Sequence, residues 1–402
     1  MGSRGRSKRK VLVAITIAQE AYYRGIVRYA REHDWHLVTD MTYTGRVPVG
    51  WRGDGILTIL GYRPELIDFI RAARVPTVAI TLVNEKVPLP RVEGDNRRIG
   101  ELAAEHFLER GYRHFAWAPF LNDVMNKERL DGFARAIAKR GYACRGLPPA
   151  HSLSGRVWQE NWAERRRRLV GELKRLARPA AVFAYNDCVA ADVIDACRDG
   201  GLRVPEDVAV LGVDDDAYVC DCAPVPLSSV RHDLEGMAYA GAALLERLMR
   251  GGKPPARVLR VQPLGVVTRA STDMRAVEDA KVAIALRYLS ERFSDPQLSV
   301  ADVVEACGLS RRQLERSFRR ETGSTVHGEL TRVRIQHALQ RLVATQDKVG
   351  EVGRQVGFAR PARFFRTFRR LMGTTPKRYR VLQQRPLSRR KAGRLRGSAR
   401  SR

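Results

Sequence analysis

The chain has 402 residues, 44% of them hydrophobic, and a net charge of +28. That length predicts two or three domains, and that apolar fraction excludes a disordered chain. No apolar run approaches the roughly 20 residues of a membrane helix. The six cysteines show neither a disulfide framework nor metal-ligand spacing, since Cys220-Asp221-Cys222 lacks a second pair. A cytoplasmic protein with reduced thiols, no metal and no cofactor is expected. The charge is uneven. Residues 11–277 carry 38 basic and 33 acidic residues, whereas residues 278–402 carry 29 and 11. A polyanion such as double-stranded DNA is the natural partner of the last third.

Residues 1–10 carry five positive charges and read as a basic tail. The tail and the apolar run after it mimic a signal peptide, but the run is short and no small-residue cleavage site follows. A buried strand over Val11–Ile17 explains it better. From there to about Thr268, short apolar runs alternate with longer amphipathic ones. The expected helices are Tyr22–Glu32, Glu65–Arg74, Asn96–Arg110, Lys127–Arg140, Glu160–Ala177, Val189–Asp199 and Glu235–Arg250. Strands are expected at Asp54–Ile59, Pro76–Thr81, His114–Trp117, Ala180–Ala184 and Val208–Val213, with an irregular piece over Arg145–Val157. This alternation predicts an α/β region of parallel sheets covered by helices, in two lobes.

Ligands of such sheets bind beyond the carboxyl ends of the strands. That singles out Gln19–Tyr23, Asp40–Tyr43, Asn84, Asp95, Asn122–Arg129, Tyr185–Asp187 and Asp214–Tyr218. These loops hold Asp, Asn, Arg and aromatic residues, a set suited to the hydroxyls and flat faces of a sugar. Any single Asp there could equally be a helix cap, so the argument rests on convergence.

Residues 11–270 resemble the effector region of the LacI/GalR repressors, itself similar to periplasmic sugar-binding proteins. The resemblance is carried by Asp95-Asn96 with Gly100, by Arg129-Leu130-Asp131-Gly132-Phe133, and by Ala184-Tyr185-Asn186-Asp187. It continues through Gly212-Val213-Asp214-Asp215, Pro226–Val230 and Ala243-Leu244-Leu245. It implies two Rossmann-like lobes with the effector between them. Arg129, Asn186 and Asp214 match sugar-hydroxyl contacts, and Tyr22, Asp95 and Asp187 join them as effector-site candidates. The N-terminal DNA-binding headpiece of that family has no counterpart here.

Residues 271–277 read as a linker, and Val277–Phe293 as a helix. Two helix–turn–helix units follow. In the first, Ser299 caps a helix ended by Gly308, and Ser310-Arg311-Arg312-Gln313 fits a capping box. Leu314 and Phe318 face inward. Arg312, Glu315, Arg316 and Arg319 share the outer face. Thr325–Thr345 is one long helix, about 28 Å over some 19 residues, which suits two reading helices roughly one DNA turn apart. In the second unit Val349, Val352 and Val356 pack, Gly357-Phe358 turns, and Ala362, Arg363, Arg366 and Arg369 lie outward. Gly350 and Gly353 weaken a helix there by up to about 1 kcal/mol each, which predicts a softer second reader. The tail 381–402 is basic and is expected to be disordered.

Residues 278–380 resemble the AraC/XylS DNA-binding domain. The resemblance rests on Leu309–Leu314, Phe318, Glu321-Thr322-Gly323, Gly357-Phe358, Phe364, Phe368 and the closing Thr375-Pro376 and Tyr379-Arg380. Matched positions make Arg312, Glu315, Arg316, Ala362, Arg363 and Arg366 base-reading candidates. Arg319, Arg320, Arg369 and Lys377 are phosphate candidates. The two halves together resemble the xylose-responsive transcription regulators. That implies an activator of carbohydrate catabolism genes, a homodimer that meets DNA, a sugar and RNA polymerase. Two competing readings are a sugar-acting enzyme using Asp214-Asp215-Asp216 and an effector-independent DNA-binding protein. No P-loop, GxGxxG, HExxH or GxSxG supports the enzyme.

Overall fold

A computed structural model describes residues 8–15, 19–60, 63–82, 87–120, 123–149, 161–277 and 279–384. It separates into two compact units, residues 1–276 and 277–402. The expectations for Asn84, Asn122 and the tail from Arg385 onward lie outside the described residues, as do Thr16 and Ile17 of the first strand and most of the irregular piece.

The first unit holds two six-stranded sheets. One comprises β1 (Arg9–Ala14), β2 (Trp35–Val38), β3 (Gly55–Leu60), β4 (Thr77–Leu82), β5 (Arg91–Gly94) and β11 (Leu259–Val261), in the order β11-β5-β4-β3-β1-β2. The other comprises β6 (His114–Ala118), β7 (Cys144–Gly146), β8 (Ala180–Ala184), β9 (Val208–Val213), β10 (Ser228–Arg231) and β12 (Gly265–Val267), in the order β12-β10-β9-β8-β6-β7. All neighbours are parallel except β10 and β12. In each lobe the chain enters at an inner strand, adds one neighbour, then continues on the other side. The switch points therefore lie at β1/β3 and β6/β8, where ligands of such sheets bind. Strands β3, β8 and β9 are buried along their whole length, which explains their unbroken apolar runs.

Helix α1 (Glu20–Glu32) and helix α9 (Leu234–Met249) share the core of the first lobe. Helix α2 (Asp40–Thr44) and helix α3 (Pro64–Ala73) cover its other face. Helices α4 (Asn96–Glu109), α5 (Val124–Ala138), α6 (Trp162–Lys174) and α7 (Asp187–Asp199) build the second lobe, with a short α8 (Ala217–Cys222).

The second unit is helical: α10 (Ala280–Arg292), α11 (Val300–Cys307), α12 (Arg311–Thr322), α13 (Val326–Ala344), α14 (Val349–Gln355), α15 (Pro361–Met372) and α16 (Pro376–Gln384). Ser299 and Ser310 each close a reciprocal capping box, with Asp302 and Gln313, and Gly308 ends α11 at φ +61°. Long helix α13 supplies Ile335, Ala338 and Leu342 to a core shared with Val352, Val356, Phe358, Phe364 and Phe368. Buried Arg334 on α13 donates to the carbonyls of Phe293 and Asp295 at 2.8 and 2.7 Å, tying it to the end of α10.

Several boundaries differ from expectation. Arg9 and Lys10 belong to β1, paired with Trp35 and His36, not to a tail. Residues 271–277 do not begin as a linker. Ser271 and Thr272 are fully buried, and Ser271 Oγ donates to the Val210 carbonyl and accepts the Ser228 amide. His106 meets Thr272 Oγ1 at 2.8 Å, which fastens the same segment to α4. Residues 381–384 continue α16 and are not part of a tail. The short strands β2, β5, β7 and β10–β12 have no counterpart among the expected elements, because three or four residues carry too little periodicity.

Candidate effector cleft and nucleic-acid interface

Helices α4 and α5 touch backbone to backbone. A Cβ on Gly100 would lie 2.1 Å from the Arg129 carbonyl, and one on Gly132 would lie 2.1 Å from the Arg97 carbonyl. This approach sets Arg129 beside the first turn of α4. Its Nε donates to Asn96 Oδ1 at 3.0 Å, and its Nη1 donates to the Tyr185 carbonyl. The guanidinium lies 4.9 Å from the Tyr185 ring centre. The residue is 3% exposed. Both of these acceptors are neutral, so the cation is held at a desolvation cost.

Tyr185 stacks on Phe120 with centroids 5.6 Å apart. Its hydroxyl donates to Asp123 Oδ2 at 3.2 Å, while Asp123 Oδ1 caps α5 through the Asn126 amide at 2.7 Å. Burial pushes the Asp123 carboxyl up, against the opposing pull of those bonds. An aromatic wall with a buried cation and a buried acid lies at the carboxyl ends of β6 and β8.

Asp214 follows β9 with φ +107°, and Asp215 has φ +56°. Left-handed backbone at non-glycine residues costs energy and clusters at binding sites. Asp214 Oδ2 faces Gln19 Nε2 of the first lobe at 3.4 Å, and Oδ1 faces His232 Nδ1 at 3.3 Å. Tyr22, also from the first lobe, is buried against this group. Burial raises its hydroxyl pKa first, the Asp214 charge second, and Arg129 opposes both. Thr81, next to last in β4, has φ +70°, and its hydroxyl donates to Met125 Sδ of α5 at 3.1 Å. The lobes thus meet across the cleft at named side chains.

The three adjacent aspartates have three separate jobs. Asp215 is pinned by Arg231 and Arg269 at 2.7 and 2.8 Å. Asp216 caps α8 through the Tyr218 and Val219 amides. Only Asp214 turns toward Tyr22 and Gln19.

In the second unit, Arg312, Glu315, Arg316 and Arg319 are exposed on α12, and Ala362, Arg363, Arg366 and Arg369 on α15. Leu314, Phe318, Phe364 and Phe368 hold the backs of the two helices in the core at 0% exposure. Glu315 is paired with Arg311 at 3.0 Å, and Arg363 meets His327 Nε2 at 3.1 Å. Arg320, expected at phosphate, holds Asp279, the cap of α10, at 3.3 Å. Short helices with apolar backs and arginine-rich fronts suit the major groove.

Residues 104–272 match the periplasmic binding protein-like domain family, and residues 303–381 match a helix-turn-helix domain family. The chain is 27% identical to the xylose operon regulatory protein of Escherichia coli strain K12, over 93% of this chain and 97% of that one. The protein of the same name from Haemophilus influenzae is 26% identical over 79% of this chain and 82% of its own. A solved structure of a xylose-binding transcription activator, xylR, superposes with a TM-score of 0.70 at 24% identity, covering 94% of this chain and 99% of that one. The chain is an AraC-type transcription regulator with a LacI-like effector domain. Its relatives are regulators rather than enzymes, and among the described residues no helix is long and apolar enough to cross a membrane.

Of the six effector-site candidates of the regulator, Tyr22, Arg129 and Asp214 come together. Asn186 is half-buried, caps α7 through the Val189 amide and follows Tyr185 in the sequence. Two differ from expectation. Asp187 is buried with Oδ2 accepting the Asp216 amide and Oδ1 the Ser229 hydroxyl, so it shapes the Asp214 turn. Asp95 caps α4 and holds Gln262 at 2.8 Å where the chain crosses between lobes. Tyr43 projects to solvent, 86% exposed on α2. Asn96, Asp123, Tyr185 and His232 lie beside these candidates. Tyr185 and Asn96 stand inside motifs of the sequence and Asp123 inside the strand-end loop Asn122–Arg129, whereas no motif marks His232.

Proposed function

We propose that the regulator activates carbohydrate catabolism genes in response to xylose or a related sugar bound between the lobes. The observation that carries this is Gln19 of one lobe facing Asp214 of the other at 3.4 Å, with buried Tyr22 and Arg129 near enough to feel each other's charge. A cation, a carboxylate and aromatic faces suit several hydroxyls on one small ring. The names of the relatives point to the same sugar class. Asn186 and Asn96 would supply further amide contacts.

A homodimer would place two DNA-binding units on paired sites. Arg312, Glu315 and Arg316 on α12, with Ala362, Arg363 and Arg366 on α15, would face base edges. Arg319 and Arg369 would face phosphates. RNA polymerase would be the partner of the activated state. The sugar biases the DNA-bound arrangement only through its differential affinity for two arrangements of the chain.

The test is a fluorescence-anisotropy titration of operator DNA across a panel of pentoses and hexoses, with Asp214→Asn alongside. One sugar should shift DNA affinity in the wild type and fail in the variant. DNA binding that no sugar alters would refute the sensing role and favour an effector-independent binder.

A further inference from the structure

Helices α12 and α15 share one register, counted from their N-caps Ser310 and Arg360. Leu314 then matches Phe364, and Phe318 matches Phe368, all four fully buried. The outward positions match too: Arg312 with Ala362, Arg316 with Arg366, Arg319 with Arg369. In this register the counterpart of Glu315 is Phe365.

Phe365 is 41% exposed. Its ring leans on Phe364, with centroids 5.7 Å apart at 53°, and leaves its outer part in solvent. Arg363, Arg366, Arg369 and Arg370 surround it in sequence, all exposed. A protein surface covering this ring would have to compensate that positive charge, whereas DNA compensates it with phosphates. The apolar group that a major groove offers to such a ring is the C5-methyl of thymine.

We propose that Phe365 reads a thymine methyl in the half-site contacted by α15. One helix position then gives the two units different preferences: a carboxylate for an amino group at Glu315, and a ring for a methyl at Phe365. This rests on the reading faces assigned above.

The test starts from an operator enriched out of random DNA by the full chain. Each thymine of the second half-site is replaced in turn by deoxyuridine, which removes only the methyl group. At one or two positions wild-type affinity should fall roughly fourfold, the worth of one buried methyl. Phe365→Ala should bind the thymine and deoxyuridine duplexes alike, while its protection of the first half-site and its melting temperature stay unchanged. If no thymine responds, or if Phe365→Ala responds as the wild type does, the contact does not exist. Failure of the reading face itself looks different: Arg366→Ala would then leave sequence preference intact.

Discussion

Arg260 of the first lobe grips Glu128 of the second with two hydrogen bonds, Nη2 to Oε1 at 2.6 Å and Nη1 to Oε2 at 3.1 Å. Glu128 also faces the Asn96 amide at 3.4 Å, one bond removed from Arg129. A bidentate pair is the strong form of this interaction, but Arg260 is partly exposed, which limits it to about 1 kcal/mol. The pair spans the lobes, so it favours their approach. Arg260→Ala should therefore weaken sugar binding about fivefold, measured by isothermal titration. An unchanged affinity would mean that the pair persists when the lobes separate.

Arg316 and Arg319 lie on one exposed face of α12 but are assigned different duties. Arg316→Ala should cost about 1–3 kcal/mol on the cognate site and relax preference at one base pair. Arg319→Ala should weaken binding to all duplexes about equally and reduce its salt dependence by about one ion. Binding curves on cognate and scrambled DNA at several salt concentrations distinguish them. Equal, uniform losses in both variants would show that the reading face is turned elsewhere.

The first helix–turn–helix unit was legible because local chemistry dictates it: a serine cap, a capping box, a glycine at positive φ and apolar residues four apart. The lobes were legible as alternation, and the switch points follow from strand order. The cleft was only half legible. Arg129 and Asp214 stood at strand ends, but so did Asp95 and Asp187. What separates these pairs is tertiary. Asp187 is turned into its own lobe by Ser229, 42 residues on, and Asp95 is held by Gln262, 167 residues on. No spacing rule reaches that far.

Gly353 shows the same limit. In sequence it only weakens α14. In the fold, a Cβ there would lie 2.7 Å from Cδ1, 2.8 Å from Cγ and 3.1 Å from Cβ of Phe364. Phe364 is fully buried, and these atoms sit at the fixed end of its side chain. Gly353→Ala gains about 1 kcal/mol of helix propensity and loses about 1–3 kcal/mol to overpacking. We expect a net loss of about 1 kcal/mol in urea unfolding, with weakened protection of the second half-site. Gly350→Ala is the control, because its nearest neighbour, Pro361 Cβ, is 4.0 Å away. That variant should be stabilised by up to about 1 kcal/mol. The second unit is therefore close-packed at the glycine that sequence alone makes its weak point.

His337 stacks on Phe293 with centroids 3.9 Å apart at 7°. Burial, aided by Arg332 and Arg341, pushes its pKa down to about 4. Unfolded, it titrates near 6.5. Between those values the unfolded chain binds the extra proton, so stability is present above about pH 6.5 and is lost as pH falls through about 4. The loss attributable to this group is at most about 3 kcal/mol. His337→Phe keeps a ring against Phe293 but cannot titrate. Urea unfolding of both chains from pH 7 to pH 4 should show the wild type losing stability relative to the variant. Parallel profiles would mean that the ring takes up its proton without leaving the stack, and that the two arginines do not disfavour the charged form as their placement requires.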